Sequence, residues 1–372
     1  MNIAWLTWKD HRHPEAGGAE VVARELTKRL LADGHKVTML TCGYDNAPKH
    51  ENLNGVEVIR VGRNRYTHPF QALAYYMRHM RNRYHVLIEE VEAAPYFSVL
   101  FERKAKKYLL YHQMDGPVWK YETKPPLSQI GRYILEPTAS RLLAGSKTPV
   151  VTVSQSTASD LTRHGFCPER THIISEGIEI SPIEDLDKVR KFERPTLLCL
   201  GAMRAMKRTV DQIKAFEIAR ATMPGLQLKI AGKSNSPYGQ KVLSHIAHSP
   251  YKDDIEYLGK VSTEQKADLM QRAHLIMQTA VHEGWGLTVT EAASQGTPAV
   301  VYNVNGLRDS VRDGVTGIVA DESPAALAYG IVKLLTHPDM YESVRHAAWE
   351  WSKQITFDQS YTDFKQAIGV EA

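Results

Sequence analysis

One pattern dominates the chain and occurs twice: a short apolar run is followed by a longer segment whose apolar residues recur at helical spacing. In the first series the run Ile3–Trp8 precedes the amphipathic segment Ala19–Leu31, and a second series begins with Leu197–Gly201 and Val210–Ala221. Alternating strands and helices predict parallel sheets covered by helices on both faces. The chain is therefore predicted to be an α/β protein with two doubly wound domains, joined by the proline- and charge-rich segment Glu176–Pro195.

Length and composition agree with this organisation. The chain has 372 residues, 43% of them hydrophobic and 24% charged, which is typical of a globular protein with two cores. Its three cysteines lie far apart without histidine neighbours, which favours a reducing, cytoplasmic location and no disulfide framework. Met1–Trp8 has no basic region or cleavage site, so we expect a first strand rather than a signal peptide. No apolar run reaches the length of a membrane span.

Charge is distributed unevenly along the chain. Residues 1–175 hold 24 Lys/Arg and 17 Asp/Glu, which suggests that the first half meets something anionic. Arg60–His85 contains six arginines, no acidic residue and interleaved aromatic side chains. A helix from Pro69 would place Leu73, Tyr76 and Met80 on one face. Either this segment docks on an anionic membrane surface, or its apolar face packs on the sheet and leaves a solvated basic rim. Nucleic acid is not an expected partner, because no recognition fold accompanies the charge.

The segment His282–Val300 (HEGWGLTVTEAASQGTPAV) joins a glycine-rich turn to the start of a predicted helix, Leu287–Ser294. The free amides and positive dipole end of such a helix favour a diphosphate. Glu291 lies about one turn into the helix, where its carboxylate could accept hydrogen bonds from ribose hydroxyls. Glu283 precedes the turn and could reach a sugar ring. The segment therefore suits a diphosphate site, and the same residues also fit an ordinary helix that begins after a glycine turn.

This segment resembles the signature of the family 4 retaining glycosyltransferases: Glu283, seven residues, Glu291, then Gly-Thr-Pro-Ala-Val at Gly296–Val300. The resemblance covers nearly the whole chain. It implies a GT-B fold, with two Rossmann-like domains facing a central cleft. The acceptor-side domain would comprise residues 1–180 and a C-terminal helix at about 354–372, and the donor-binding domain residues 190–353. It also implies that Glu283 contacts the donor sugar, that Gly286, Leu287 and Thr288 hold the distal phosphate, and that Glu291 binds ribose.

Further positions fit the same family. Gly17 and Gly18 lie in the first loop, and in members of the family the backbone of this loop closes on the donor diphosphate. Lys207, in the loop after Leu197–Gly201, matches the family lysine that neutralises the leaving diphosphate. The position of the family's arginine holds Ala202, so Arg204 is the expected substitute. Glu176 and Glu179 stand where the family has Asn and Asp.

The segment Tyr108–Gly116 contains an apolar strand that ends at His112. A histidine at the carboxyl end of a strand in an α/β domain faces the ligand site. By resemblance, His112 contacts the donor sugar near its anomeric carbon. We assign His112, Arg204, Lys207 and Glu283 to catalysis.

The sequence contains no nucleophile with a base and no metal-ligand cluster, and this pattern favours front-face retaining transfer without a metal or other cofactor. The expected reaction is transfer of a hexose from a nucleoside-diphosphate sugar, UDP first and GDP-mannose second, to a lipid-linked or glycan acceptor. Two alternatives stay open. A nucleotide-sugar epimerase of the same fold would act without an acceptor, and a non-catalytic module would bind the nucleotide sugar without turnover.

Overall fold

The computed structural model describes residues 1–64, 67–92 and 94–370. Arg65 and Tyr66 of the basic stretch lie outside the described residues. The strands, in chain order, are β1 (Asn2–Leu6), β2 (Lys36–Thr41), β3 (His50–Leu53), β4 (Val56–Arg60), β5 (Val86–Glu90), β6 (Lys106–Tyr111), β7 (Val150–Thr152), β8 (Thr171–Ile173), β9 (Thr196–Leu200), β10 (Gln227–Ala231), β11 (Ile255–Gly259), β12 (Leu275–Gln278), β13 (Ala299–Tyr302) and β14 (Gly317–Ala320).

The helices connect these strands, and two of them continue into a wider π-turn, at Tyr76–Met80 and at Gly131–Leu135. In chain order they are α1 (Gly18–Ala32), α2 (His68–Tyr75), α3 (Ser98–Phe101), α4 (Trp119–Glu122), α5 (Leu127–Ile130), α6 (Glu136–Gly145), α7 (Gln155–Arg163), α8 (Thr209–Thr222), α9 (Pro237–His248), α10 (Thr263–Arg272), α11 (Leu287–Ser294), α12 (Pro324–Leu335), α13 (Pro338–Ser352) and α14 (Phe357–Ile368).

Two parallel sheets form, as the alternation of strands and helices predicts. The first has the order β3-β4-β2-β1-β5-β6-β7-β8 and is parallel except for the β3–β4 pair, and the second has the order β11-β10-β9-β12-β13-β14. Strand order reverses beside β1 in the first sheet and beside β9 in the second. In doubly wound sheets ligands bind at the carboxyl ends of the strands at such a reversal.

The chain divides into two units around these sheets. The first unit comprises residues 1–116, 126–177 and 356–372, and the second comprises residues 117–125 and 178–355. In the first unit, α14 packs on the same sheet face as α1, and Phe364 is fully buried with its ring centroid 5.9 Å from that of Trp5. In the second unit, Phe216 of α8 is fully buried against the second sheet. Each unit thus has its own apolar core.

The basic stretch Arg60–His85 differs from its predicted role at one position. Arg60 is only 5% exposed, and its guanidinium forms ion pairs with Asp10 at 2.7 Å and with Glu51 at 2.8 Å. Its inclusion in a membrane-facing surface was wrong, because two carboxylates distant in sequence bury and neutralise it. The predicted apolar face is correct at two of its three positions: Tyr76 and Met80 pack beneath the helix, whereas Leu73 is only half-buried.

None of the helices that the structure describes is both long enough and apolar enough to cross a bilayer.

Candidate functional site

The reversal of strand order in the second sheet lies between β9 and β12, and each of these strands is followed by a predicted site residue. Lys207 ends a short turn after β9, and Glu283 lies in the loop after β12. Their side chains meet in an ion pair between the Lys207 ammonium and the Glu283 carboxylate, which are 28% and 15% exposed. The structure therefore brings these two predicted residues together, partly open to solvent, where such sheets bind ligands.

Backbone contacts hold Glu283 in this position. Its N–H donates to the carbonyl of Asn305 at 3.1 Å. Gly306 has a φ of +80°, and a Cβ built on it would lie 2.3 Å from the carbonyl oxygen of Glu283. Only glycine combines this left-handed conformation with so close an approach. Gly306 thus supports Glu283 from the following loop.

Helix α11 begins four residues after Glu283. Gly286 precedes the helix with a φ of +108°, and Leu287 and Thr288 are its first residues, both half-buried. The Thr288 hydroxyl accepts a hydrogen bond from the side-chain amide of Gln278 at 3.0 Å, and the same amide nitrogen donates to the carbonyl of Leu200. The first amides of a helix have no intrahelical acceptor. This end of α11 can accordingly bind an anion.

Glu291 is buried one turn further along α11, where its carboxylate pairs with the Lys266 ammonium of α10 at 2.6 Å. Burial raises the pKa of Glu291, and the charge of Lys266 opposes this increase. The carboxylate is therefore held in its acceptor form by one neighbouring lysine.

Arg204, the expected second cation, has a carboxylate partner of its own. Its guanidinium lies 3.1 Å from the carboxylate of Glu122 in α4, and Glu122 also accepts from the amide of Met206 at 3.4 Å. The Arg204 side chain is 50% exposed. Its assignment to the leaving diphosphate stays a prediction.

In the first unit, His112 follows β6 and lies between two carboxylates. Its Nδ1 is 3.6 Å from Glu176 and its Nε2 is 3.8 Å from Glu90. Burial disfavours the charged imidazolium, but the two carboxylates outweigh burial and raise the pKa of His112 to about 10. The ring is therefore protonated at neutral pH, so that both nitrogens are hydrogen-bond donors.

Gly17 and Gly18 begin α1 in the first unit, after β1. The N–H of Gly17 donates to the Glu20 carboxylate at 2.5 Å, and the Lys9 ammonium lies 3.1 Å from the same carboxylate. Glu20 is 3% exposed. The negative charge at this helix start therefore comes from Glu20 itself, as in a capping box.

In each unit, residues that sequence reasoning missed lie beside the predicted ones. Glu122, Lys266, Glu90 and Gly306 were given no role, and Glu176 was noted only as a departure from the family. The available signal for Gly306 was a glycine in a loop that follows an apolar run, whereas the carboxylates and Lys266 are brought beside the predicted residues only by the fold. Within the described part of the chain, no group of three or more His, Cys, Asp and Glu is arranged to hold a metal ion.

Comparison with protein-family models gives two matches that together span most of the chain. The model described as "Glycosyltransferase Family 4" matches residues 16–181, and the model described as "Glycosyl transferases group 1" matches residues 183–351. A curated relative is an uncharacterised glycosyltransferase of Methanocaldococcus jannaschii. It is 26% identical over 375 residues, which cover 90% of this chain and 89% of that protein.

Solved structures resemble the chain over nearly its full length. The sucrose-phosphate synthase of Thermosynechococcus elongatus superposes with a TM-score of 0.81 at 20% identity, covering 98% of this chain and 97% of that one. Anabaena HepE in complex with UDP-glucose superposes with a TM-score of 0.74 at 15% identity and covers 100% of both chains. These neighbours have the GT-B fold, which confirms the fold class predicted from the sequence.

Proposed function

The chain belongs to the group 1, family 4 glycosyltransferases, and we propose that it transfers a hexose from a nucleoside-diphosphate sugar to a lipid-linked or glycan acceptor. The observation that carries the proposal is the Lys207–Glu283 pair at the strand-order reversal of the second sheet. A cation beside the amides that begin α11 suits a diphosphate, and the adjacent carboxylate suits sugar hydroxyls.

Donor binding then replaces the ion pair between Lys207 and Glu283 with contacts from each side chain to the donor. The diphosphate takes the Lys207 ammonium and the amides of Leu287 and Thr288, and the Glu283 carboxylate becomes free to accept from hydroxyls of the donor sugar. Glu291, held by Lys266, accepts from the ribose. UDP is the proposed nucleotide, in line with the UDP-glucose bound by the neighbour HepE, and GDP is the second choice.

Residues of the first unit are also proposed to contact the donor. The imidazolium of His112 donates to the hexose near its anomeric carbon, and the Gly17-Gly18 backbone approaches the donor phosphate or sugar. Because Glu20 already occupies the start of α1, Gly17 and Gly18 contribute by close backbone approach rather than as an anion site. Arg204 joins Lys207 on the leaving phosphate if it exchanges its contact with Glu122.

The proposed chemistry is a front-face transfer that retains the anomeric configuration. The bond between the anomeric carbon and the phosphate oxygen breaks while the acceptor oxygen bonds to the same face of that carbon. The acceptor proton passes to the departing phosphate oxygen, so no separate base is required. Lys207, Arg204 and the start of α11 stabilise the negative charge that grows on the phosphate.

Two substitutions test the assignment of the donor site. Loss of a preorganised charge partner typically lowers kcat by about 100- to 1,000-fold. Lys207→Met and Glu283→Gln are expected to lower transfer from UDP-hexose by this factor, while Lys214→Met, an exposed lysine on α8, is expected to leave it unchanged. Near wild-type transfer by either site variant, with the fold intact by circular dichroism, would refute the assignment.

Donor screening and metal removal test the reaction itself. UDP, GDP and ADP sugars are compared by thermal shift, and then nucleotide release is measured with and without acceptor, in excess EDTA. We expect release that depends on acceptor and persists in EDTA. Nucleotide release or rearranged sugar without acceptor would indicate an epimerase. Binding without turnover would indicate a non-catalytic module. Activity that is restored only by Mg²⁺ or Mn²⁺ would indicate a metal-dependent mechanism.

A further inference from the structure

The helical segment 127–145 of the first unit has its large apolar side chains on the outside. The residues that it buries are Ser128, Gly131, Ser140 and Leu143, three of which are small. Its exposed side chains include Leu127, Ile130, Tyr133, Ile134, Leu135 and Leu142, all between 40% and 68% exposed. A helix whose outer face meets water normally has polar side chains on that face and buries its large apolar ones. This outer face therefore suits an apolar partner.

Backbone geometry reinforces this exposure. Pro137 has no N–H to donate to the carbonyl four residues earlier, and the chain forms the π-turn Gly131–Leu135 just before it. Tyr133, Ile134 and Leu135 consequently follow one another as three exposed apolar side chains in one turn.

The segment shares its sheet face with the basic stretch. Leu143 packs with Leu109 of β6, whereas Tyr76 and Met80 pack with Leu87 of β5. Leu109 pairs in register with Glu89, two residues from Leu87, so Leu87 and Leu109 point to the same face. Helix α2 with its π-turn, helix α3 and the segment 127–145, which includes α6, therefore form one layer on this face, here called the outer helical layer.

Apolar exposure is concentrated on this layer. Phe70, Met77 and Leu100 are 75%, 38% and 61% exposed on α2, its π-turn and α3. Together with the six residues of segment 127–145, they make up nine of the fifteen exposed large apolar side chains that the described residues contain. A surface this rich in apolar groups marks an interaction site.

The fully exposed charges of the outer helical layer have a single sign. Across residues 68–83, 98–104 and 127–147, all of which the structure describes, the exposed or half-buried cations include Arg78, Arg81, Arg83, Arg103, Arg132 and Arg141. No Asp or Glu in these ranges is exposed. Glu102 is 1% exposed, and Glu136 is half-buried and accepts from the amide of Gly116 at 2.8 Å.

We infer that the outer helical layer docks on an anionic lipid surface, with Ile130, Tyr133 and Ile134 entering the interface and the arginines meeting the headgroups. Apolar and aromatic side chains beside cations match the boundary between headgroups and acyl chains. A second copy of the chain fits less well. A two-fold contact would place this cationic face against itself, without a carboxylate to pair with.

Vesicle flotation of the full chain tests the inference without any turnover, so its outcome is independent of the proposed transfer reaction. Vesicles of phosphatidylcholine alone are compared with vesicles containing about a third phosphatidylglycerol, at low and high salt. Binding is expected only to the anionic vesicles and is expected to weaken with salt. Ile130→Ser/Ile134→Ser should lower partitioning at least tenfold. Ile218→Ser/Tyr329→Ser, at positions of the second unit that are somewhat more exposed, should not lower it.

Charge is tested with a second matched pair. Arg78→Gln/Arg81→Gln/Arg141→Gln should lower partitioning by about fivefold per cation removed, and Lys214→Gln/Lys241→Gln/Lys252→Gln, exposed lysines of the second unit, should leave it unchanged. Thermal unfolding establishes that the variants are folded. No binding of the wild type at low salt, equal binding by site and control variants, or a dimer in sedimentation that Ile130→Ser/Ile134→Ser dissociates would overturn the inference.

Discussion

At the scale of single residues, His112 links the candidate site to stability through its proton. Its pKa of about 10 in the folded chain exceeds the ordinary value of 6.5 because Glu176 and Glu90 outweigh its burial. A group with a raised folded pKa contributes stability that is fully present below pH 6.5 and lost as the pH rises through the folded pKa. The stabilisation by His112 therefore decreases between about pH 6.5 and pH 10.

This linkage predicts the behaviour of His112→Gln in urea unfolding. The difference in unfolding free energy between wild type and variant should shrink with rising pH, by up to about 1.4 kcal/mol per pH unit. His274→Gln serves as the control, because burial lowers the pKa of His274 to about 4 and its proton is absent above pH 7.5 in both states. If the difference in unfolding free energy between wild type and His112→Gln stays constant from pH 7.5 to 10, His112 is not charged in the folded chain.

Lys266 is predicted to act through Glu291 on nucleotide binding. Without Lys266, burial and the negative charge of Glu179 both raise the pKa of Glu291 with nothing named to oppose them, so the carboxyl should become neutral at a higher pH. A neutral carboxyl accepts more weakly from ribose hydroxyls. Lys266→Met should therefore weaken UDP binding by about tenfold, more at pH 6 than at pH 8, and weaken 2′-deoxy-UDP less.

Titration calorimetry with both nucleotides measures this effect, and Lys260→Met, an exposed lysine before α10, is the matched control. Unchanged UDP affinity in Lys266→Met would show that ribose binding does not depend on the charge state of Glu291.

At the scale of elements, the loop after β13 determines where Glu283 lies. Gly306→Ala should displace the Glu283 backbone, because the added methyl would lie 2.3 Å from its carbonyl oxygen. Gly314→Ala has the same left-handed backbone strain, with a φ of +71° against +80°, but meets no atom within 4 Å. The left-handed backbone strain should cost about 1 kcal/mol of stability in both variants, and Gly306→Ala should lose further stability through its clash with Glu283. Only Gly306→Ala should also weaken donor binding and transfer. Equal transfer rates in the two variants would show that Glu283 does not depend on this contact.

Elements differed in how well the sequence predicted them. The apolar runs Ile3–Trp8 and Leu197–Gly201 form strands β1 and β9, as predicted, because a continuous apolar run between turns has few other structures available. Strand β3 (HENL) was missed, since it is a polar edge strand paired antiparallel to β4. The outward apolar face of segment 127–145 was also missed, because periodicity reveals that a helix has two faces but not which face the sheet will cover.

The candidate site shows the same division. Lys207, Glu283 and Glu291 could be placed from the motif and from the rule that ligands meet the carboxyl ends of parallel strands. Their counter-charges could not, since Lys266 is separated from Glu291 by 25 residues and Glu122 from Arg204 by 82. Arg60 was misplaced for the same reason: its partner Asp10 is 50 residues away. Pairing between distant residues is a property of the fold rather than of local sequence.

At the scale of the whole molecule, helix α14 packs in the first unit, although it follows a helix of the second unit. Helix α13 belongs to the second unit and α14 to the first, so the chain leaves one core and enters the other within a few residues of Ile355. Proximity in sequence therefore does not identify which core a substitution near the C-terminus will damage. Burial in the two cores does identify it.

Phe364→Ala and Phe216→Ala should destabilise different units by similar amounts. Both rings are fully buried, Phe364 in the core of the first unit and Phe216 in that of the second. Removing such a ring costs about 3–5 kcal/mol. UDP at 100 times its dissociation constant adds about 2.7 kcal/mol to the state that binds it, and the proposed nucleotide site lies in the second unit. In calorimetry we expect Phe216→Ala to lower the temperature of the unfolding transition that UDP shifts upward. We expect Phe364→Ala to lower the temperature of an unfolding transition that UDP does not shift. If both variants lower only the UDP-sensitive transition, the nucleotide's stabilisation extends beyond the unit to which we assign its site.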